Sequence, residues 1–456
     1  MLPALLLALP AVSPSPVHQE APGPDEPTGG DRLIATVPDD YALTRSYQLP
    51  SGSTGSSSLP VTWSPDGTRV AYYGEREGEL YAILNEEPTG EQADLANAPV
   101  FSADGEHVVW SHAKSKRGGK EEWRIVVDDR LAAKADWAGL PAVSEDASTV
   151  AFWTRPGHEV DQQGISDMRD MVLVCAQRKG ERYKTVESDE YPSAAVIEAP
   201  SLIERGRRAA APAFDGVRLV VAAVGGKRDE LLFEATTFVV QTLLHGDKPR
   251  IAVVTWDWEA TQPEGTPEGF RALRLEVDGR NLATNADAAG SPAFSADGKH
   301  VAFIYNRADK FGVGLDSTLL PTGEHPITRV EPSPDGKQLA WIAHPGGSLQ
   351  VASWLTPQAG QVVMGGKALV VRAATKKSAD PEAGPEFDHI GQLTYSPNGA
   401  HLAYTARDGE GWHVVLDEER AGPFEQLGEL HWTAEDRVEF GTRAGRELRW
   451  CGLAAN

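Results

Sequence analysis

Cysteine is nearly absent from this chain. Only Cys175 and Cys451 occur among 456 residues. That is too few for a disulfide framework, and their separation fits no metal site. Pairing them would require the fold to bring the middle of the chain to its last strand. The simpler expectation is two isolated buried thiols. Long apolar runs are also missing: no stretch reaches eighteen residues, so no transmembrane helix is expected. Basic residues are outnumbered, with 43 Lys and Arg against 66 Asp and Glu and a formal net charge of −23. A field of that sign repels phosphate backbones and anionic lipid, which argues against nucleic acid as a partner. Catalytic signatures are lacking as well. There is no Gly-x-Ser-x-Gly nucleophile elbow and no His-x-His or HExxH pair. The GSTGSSS stretch at 52–58 has no phosphate-loop lysine and reads as a flexible linker. No catalytic residue, metal ligand or cofactor is assigned.

What is present begins with a short apolar run, MLPALLLALPAVS. It is too short to span a bilayer and resembles a secretory signal without a basic residue ahead of it. The next stretch, SPSPVHQEAPGPDEPTGGD, is rich in Pro, Gly and acids and cannot offset the cost of its own ordering. Residues 1–30 are therefore read as a signal segment and tether. The expected location is periplasmic or secreted, with the cytoplasm as the alternative.

The remainder repeats itself. VTWSPDGTRVAY at 61–72 returns as PVFSADGEHVVW at 99–110, PAVSEDASTVAF at 141–152, PAFSADGKHVAF at 292–303, VEPSPDGKQLAW at 330–341 and LTYSPNGAHLAY at 393–404, with a degenerate HWTAEDRVEF at 431–440. Each copy reads as strand, hairpin turn, strand. The Asp or Asn of the turn can bond backbone two residues on, and Gly supplies a positive φ. Asp66 and Asp104, Asp297 and Asp335, and Asn398 and Asp436 each stand 38 residues apart. That interval suits four strands and their turns, one propeller blade. WRIVVDDR at 123–130, ALRLEVDGR at 272–280 and WHVVLDEER at 412–420 recur as a third strand ending in an acidic turn. Between Asp146 and Asp297, PAFDGVRLVVAAV and HGDKPRIAVVTWDW read as one or two decayed blades. The expected fold is all-β, a single β-propeller of four-stranded blades over residues 31–456, with eight blades and seven as the alternative. The last copy stops short of a fourth strand, and the segment near 32–48 is expected to supply it, joining the chain ends.

The units Ser64-Pro65-Asp66-Gly67, Ser102-Ala103-Asp104-Gly105, Ser295-Ala296-Asp297-Gly298, Ser333-Pro334-Asp335-Gly336 and Ser396-Pro397-Asn398-Gly399 resemble the WD-like propeller repeats of the TolB family and of prolyl-oligopeptidase propeller domains. The first resemblance implies protein binding in the bacterial envelope. The second implies a gate on a hydrolase domain, for which this chain has no nucleophile elbow. Propellers host unrelated functions, so the fold alone names none.

Residues that look chemical recur at fixed repeat positions. His107, His300 and His401 all precede the second strand, and Asp128-Asp129 and Asp417-Glu418 occupy equivalent turns, which marks them as hairpin residues. His112, His158 and His344 are expected in loops after second strands. Candidate partner contacts lie in what does not repeat: Lys114, Lys116, Arg117 and Lys120 in the basic stretch 112–122, Arg155 and His158 in 154–170, Trp256 and Trp258 in 256–270, and Arg307 in 306–314. The two tryptophans, two residues apart, fall on the same side of a strand, which favours a core role over a partner contact. KKSADPEAGPEFD at 376–388 reads as an exposed insertion. The functional expectation is a non-catalytic scaffold that binds a protein or peptide through one loop-rich face. The alternative is a hydrolase or lyase acting on a glycan or peptide in the central channel, which would gather His, Arg, Asp or Glu on the inner rim.

Overall fold

The computed structural model describes residues 31–455, apart from 49–53, 117–120, 157–168, 195–198, 216–217, 226–229, 236–237, 246–249, 257–272, 284–285, 308–309, 350–362, 365–366, 376–380 and 434–435. The described residues form antiparallel strands and no helix. Strand pairing sorts them into six four-stranded sheets, a five-stranded sheet whose inner strand is broken in two, and a nine-stranded sheet made of two joined sets. Two small hairpins stand apart. The sets follow the chain in order and are numbered here as blades 1 to 9. Blade 1 spans 61–93, blade 2 95–135, blade 3 142–187, blade 4 191–235, blade 5 238–281, blade 6 288–323, blade 7 327–387 and blade 8 389–424. Blade 9 takes three strands from 426–454 and its outer strand from Arg32–Thr36. Two blades thus occupy the weak interval before Asp297.

Neighbouring blades share apolar cores. Separate clusters straddle blades 1 and 2, 2 and 3, 3 and 4, 7 and 8, and 8 and 9, while one runs from blade 5 through blade 7. The cluster between blades 9 and 1 mixes both ends of the chain. Ala35, Val37, Tyr41 and Leu43 pack with Trp63, Val70, Tyr72, Leu448 and Trp450. The architecture is a β-propeller. Large aromatics face small residues because the blades converge inward. Trp63 lies against Gly428 and Gly441, and Phe303 against Gly314.

Two stretches depart from the sequence reading. The GSTGSSS stretch contributes Thr54–Ser58, a strand paired with Thr44–Gln48 rather than a linker. A backbone ladder forms without an alternating apolar pattern, so composition does not reveal it. The 376–388 stretch contributes Glu382–Phe387, the outer strand of blade 7 rather than an insertion, with Phe387 buried. Its Pro and Gly are tolerated because outer strands have one unpaired edge. Cys175 in blade 3 and Cys451 in blade 9 are free and buried, and burial raises both thiols to about 11.

Candidate functional site

The turn between inner and second strands is a closed hydrogen-bond unit. In blade 6 the Ser295 hydroxyl donates to Asp297 Oδ1 at 2.7 Å and accepts from the His300 backbone N–H at 3.0 Å. Asp297 Oδ1 also accepts from the Lys299 N–H at 3.0 Å. The unit recurs at Ser64, Ser102, Ser333 and Ser396. The repeated histidines complete a second brace. His107, His300 and His401 place Nδ1 at 2.8, 2.8 and 2.7 Å from Asp128, Asp316 and Asp417. The other oxygen of each acid caps the first N–H of the second strand, at Val108, Val301 and Leu402. These pairs tie the two hairpins of one blade together. Asp417 also accepts from Arg372 of blade 7 at 3.2 Å. Asp417→Ala is expected to cost about 2 kcal/mol, since it orphans the Leu402 backbone donor and replaces an Asp, which tolerates positive φ, by an Ala that tolerates it less. Asp417→Asn should recover most of that, as read from urea midpoints.

The ends of the second strands, away from these turns, carry the non-repeating residues. The 112–122 stretch is mostly strand: Val108–Ser115 pairs with Glu121–Val127. His112 is therefore buried within a strand, 3.2 Å from Glu91 and beside Tyr73, and not in a loop. Lys114 donates to Gln92, and Lys116 pairs with Glu122. Lys116 thus answers an acid of its own hairpin, and Lys114 an amide on the outer strand of blade 1. Arg155 follows the second strand of blade 3 and is half-buried, and Arg307 ends the second strand of blade 6 and is exposed. Trp256 ends the second strand of blade 5. Arg117, Lys120, His158 and Trp258 lie outside the described residues. The structure does not bring the described candidates together into one site.

A cleft of about 510 Å³ lies instead against blades 8, 9, 1 and 2. Trp63 and Trp412 give it aromatic walls, Gln392 and Gln426 amides, and Glu429 and His431 ionisable groups. The Gln392 side chain is held by the Leu430 N–H at 2.9 Å. Trp63 Nε1 is buried without an acceptor among the described residues. Sequence reading missed all six. The usable signal was the inner-strand residue two or four places before the turn serine. There, blades 1, 2, 6 and 8 carry Pro60 and Thr62, Ala98 and Val100, Ser291 and Ala293, and Gln392 and Thr394. Blade 7 has Arg329 and Glu331, and blade 9 has Glu429 and His431. Among these six blades, charge enters those inner-strand positions in blades 7 and 9.

Glu331 keeps some accessible surface but is crowded by inner strands, and burial raises its carboxyl to about 7, with Arg329 opposing. Burial likewise lowers His431, against Glu429 and Glu439. A folded-state value above the ordinary carboxylate value of 4.5 means stability is lost as pH rises from there towards about 7. Glu331→Gln should therefore be the more stable protein at pH 8, by about 2 kcal/mol, and equal to the parent at pH 4. Denaturant midpoints at the two pH values measure this.

Among the described residues, no group of three His, Cys, Asp or Glu side chains is arranged to hold a metal ion. No helix among them is long and apolar enough to cross a membrane. No family model matches the sequence, and no curated protein matches it. Similar solved structures include a eukaryotic initiation factor, at 10% identity and TM-score 0.48 over 86% of this chain and 91% of that one. Another is the Dos1 propeller, at 8% identity and TM-score 0.42 over 93% and 96%. A third is the β-propeller domain of the Trilobed protease from Pyrococcus furiosus, at 11% and 0.35 over 71% and 99%.

Proposed function

We propose that the chain is a non-catalytic propeller scaffold that takes a peptide segment of a protein partner into the cleft on blades 8, 9, 1 and 2. One observation carries this reading: the cleft walls combine two tryptophans with two glutamine amides, that of Gln392 held by a backbone N–H, and a single exposed carboxylate. Aromatic walls supply contact area, and convergent polar groups supply orientation. The histidines that look reactive in the sequence are engaged in bracing strands. The notion that residues 31–456 act as one propeller, and that the apolar run at the start directs export, belongs to the same proposal.

A channel hydrolase is the second reading. It is favoured by Glu331, whose carboxyl titrates near neutrality as a general acid or base would. A displayed peptide library panned against the parent and against Trp412→Ala separates the two. Sequences retained only by the parent support the scaffold. Identical selections would place binding elsewhere. Turnover of a peptide or glycan that disappears in Glu331→Gln would replace the scaffold by an enzyme.

A further inference from the structure

Some cations on this acidic chain meet a carboxylate and others do not. Arg76, Arg124, Arg250 and Arg449 each meet an acid within 3.0 Å. Arg307, Arg329 and Arg407 are exposed and meet none among the described residues. They belong to three successive blades. Arg307 and Arg407 end the second strands of blades 6 and 8, and Arg329 is the third residue of the inner strand of blade 7. Those strand ends share the face opposite the Ser-x-Asp-Gly turns.

Two of the three reach the cleft. Arg329 Nη1 donates to the carbonyl of Gly391, a lining residue, at 3.5 Å. The Arg407 guanidinium lies over the Trp412 ring, 5.9 Å from its centroid. His389, the register partner of Arg407, meets the same ring edge-on at 5.7 Å. Of the neighbouring acids, Asp388 pairs with Lys367 and Asp408 with His413 and Arg420, while Glu331 feels the charge of Arg329 without forming an ion pair with it. The cleft wall on blade 8 is therefore flanked by an aromatic face and two guanidinium groups that form no ion pair among the described residues.

Guanidinium groups bind carboxylates through paired, charge-assisted hydrogen bonds, and they do so better where water is partly excluded. The net negative charge of the molecule repels acidic segments from the rest of its surface. A local cationic pair therefore fixes where such a segment can dock. We infer that the cleft receives an acidic peptide segment, with a Glu or Asp side chain seated between Arg329 and Arg407 and an adjoining apolar side chain against Trp412. This rests on the cleft being the partner site.

The test is fluorescence anisotropy with labelled glutamate-rich, lysine-rich and neutral peptides of equal length. The parent should bind the glutamate-rich peptide most tightly, with affinity falling as salt is raised. The double variant Arg329→Gln/Arg407→Gln should weaken that binding about tenfold or more, with an unchanged melting temperature because both side chains are exposed. Arg307→Gln, which removes one exposed charge away from the cleft, should leave it within about twofold. Binding that is lost in Trp412→Ala but indifferent to the arginine pair, or that prefers the lysine-rich peptide, overturns the acidic segment and leaves the cleft reading standing. No binding by any peptide, or binding unaffected by all three variants, overturns both. If the double variant melts early, Arg407→Lys replaces it: it keeps the charge and loses the paired geometry, so unchanged binding would count against the proposal.

Discussion

A chain that begins at residue 49 is expected not to fold cooperatively, whereas one that begins at residue 31 should melt like the full protein. The shorter chain loses Arg32–Thr36, which pairs with Glu447–Trp450 as the outer strand of blade 9. It also loses Ala35, Val37, Tyr41 and Leu43, all no more than 5% exposed. Burying a side chain of Val or Leu size is worth roughly 1.5–3 kcal/mol, so these four together contribute on the order of 6–8 kcal/mol. That is comparable with the 5–15 kcal/mol, roughly, by which most domains are stable at all. The loss also uncovers Trp63, Tyr72 and Trp450 at the seam between the first and last blades. Near-ultraviolet circular dichroism and thermal melting read the outcome. Equal melts for the two chains would show that the ring closes without this segment.

Gly67→Ala should cost about 3–5 kcal/mol, while Gly399→Ala, the same change at the equivalent turn of blade 8, should cost about 1 kcal/mol. Both glycines have positive φ, +64° and +74°, so both variants carry the strain of a left-handed alanine. They differ in what the new methyl meets. At Gly67 it would lie 2.2 Å from the indole of Trp450, which is 4% exposed and fixed by a hydrogen bond to Glu439 at 3.0 Å. At Gly399 the nearest atom is Pro334 Cδ at 3.4 Å, an ordinary contact. The difference between the two variants isolates overpacking at the seam from backbone strain. Equal denaturant midpoints for the two would mean that Trp450 moves aside without cost.

Much of this was legible in the sequence. The Ser-x-Asp-Gly turns carry their own hydrogen-bond logic within a few residues, so the repeat announces itself. The recurrence of His107, His300 and His401 correctly marked them as scaffold, although their pairing with Asp128, Asp316 and Asp417 joins residues sixteen or more positions apart. Blades 4 and 5 lack the turn motif and were harder to count. The outer strand Glu382–Phe387 and the hairpin strand Thr54–Ser58 were read as insertion and linker because they depend on backbone pairing, which any polar sequence can supply.

The cleft was not legible at all. Trp63, Gln392, Trp412, Gln426, Glu429 and His431 come from blades at opposite ends of the chain, and only ring closure makes them neighbours. The sequence by itself determined the local units: hairpin turns, strand alternation and the blade interval, because each is set by short-range backbone chemistry. The tertiary structure alone decided which strand completes blade 9, that two arginines flanking the cleft form no ion pair among the described residues, and that Glu331 is crowded enough to titrate near neutrality. Those properties depend on which blades stand side by side and how much water remains between them, and no interval along the chain encodes that.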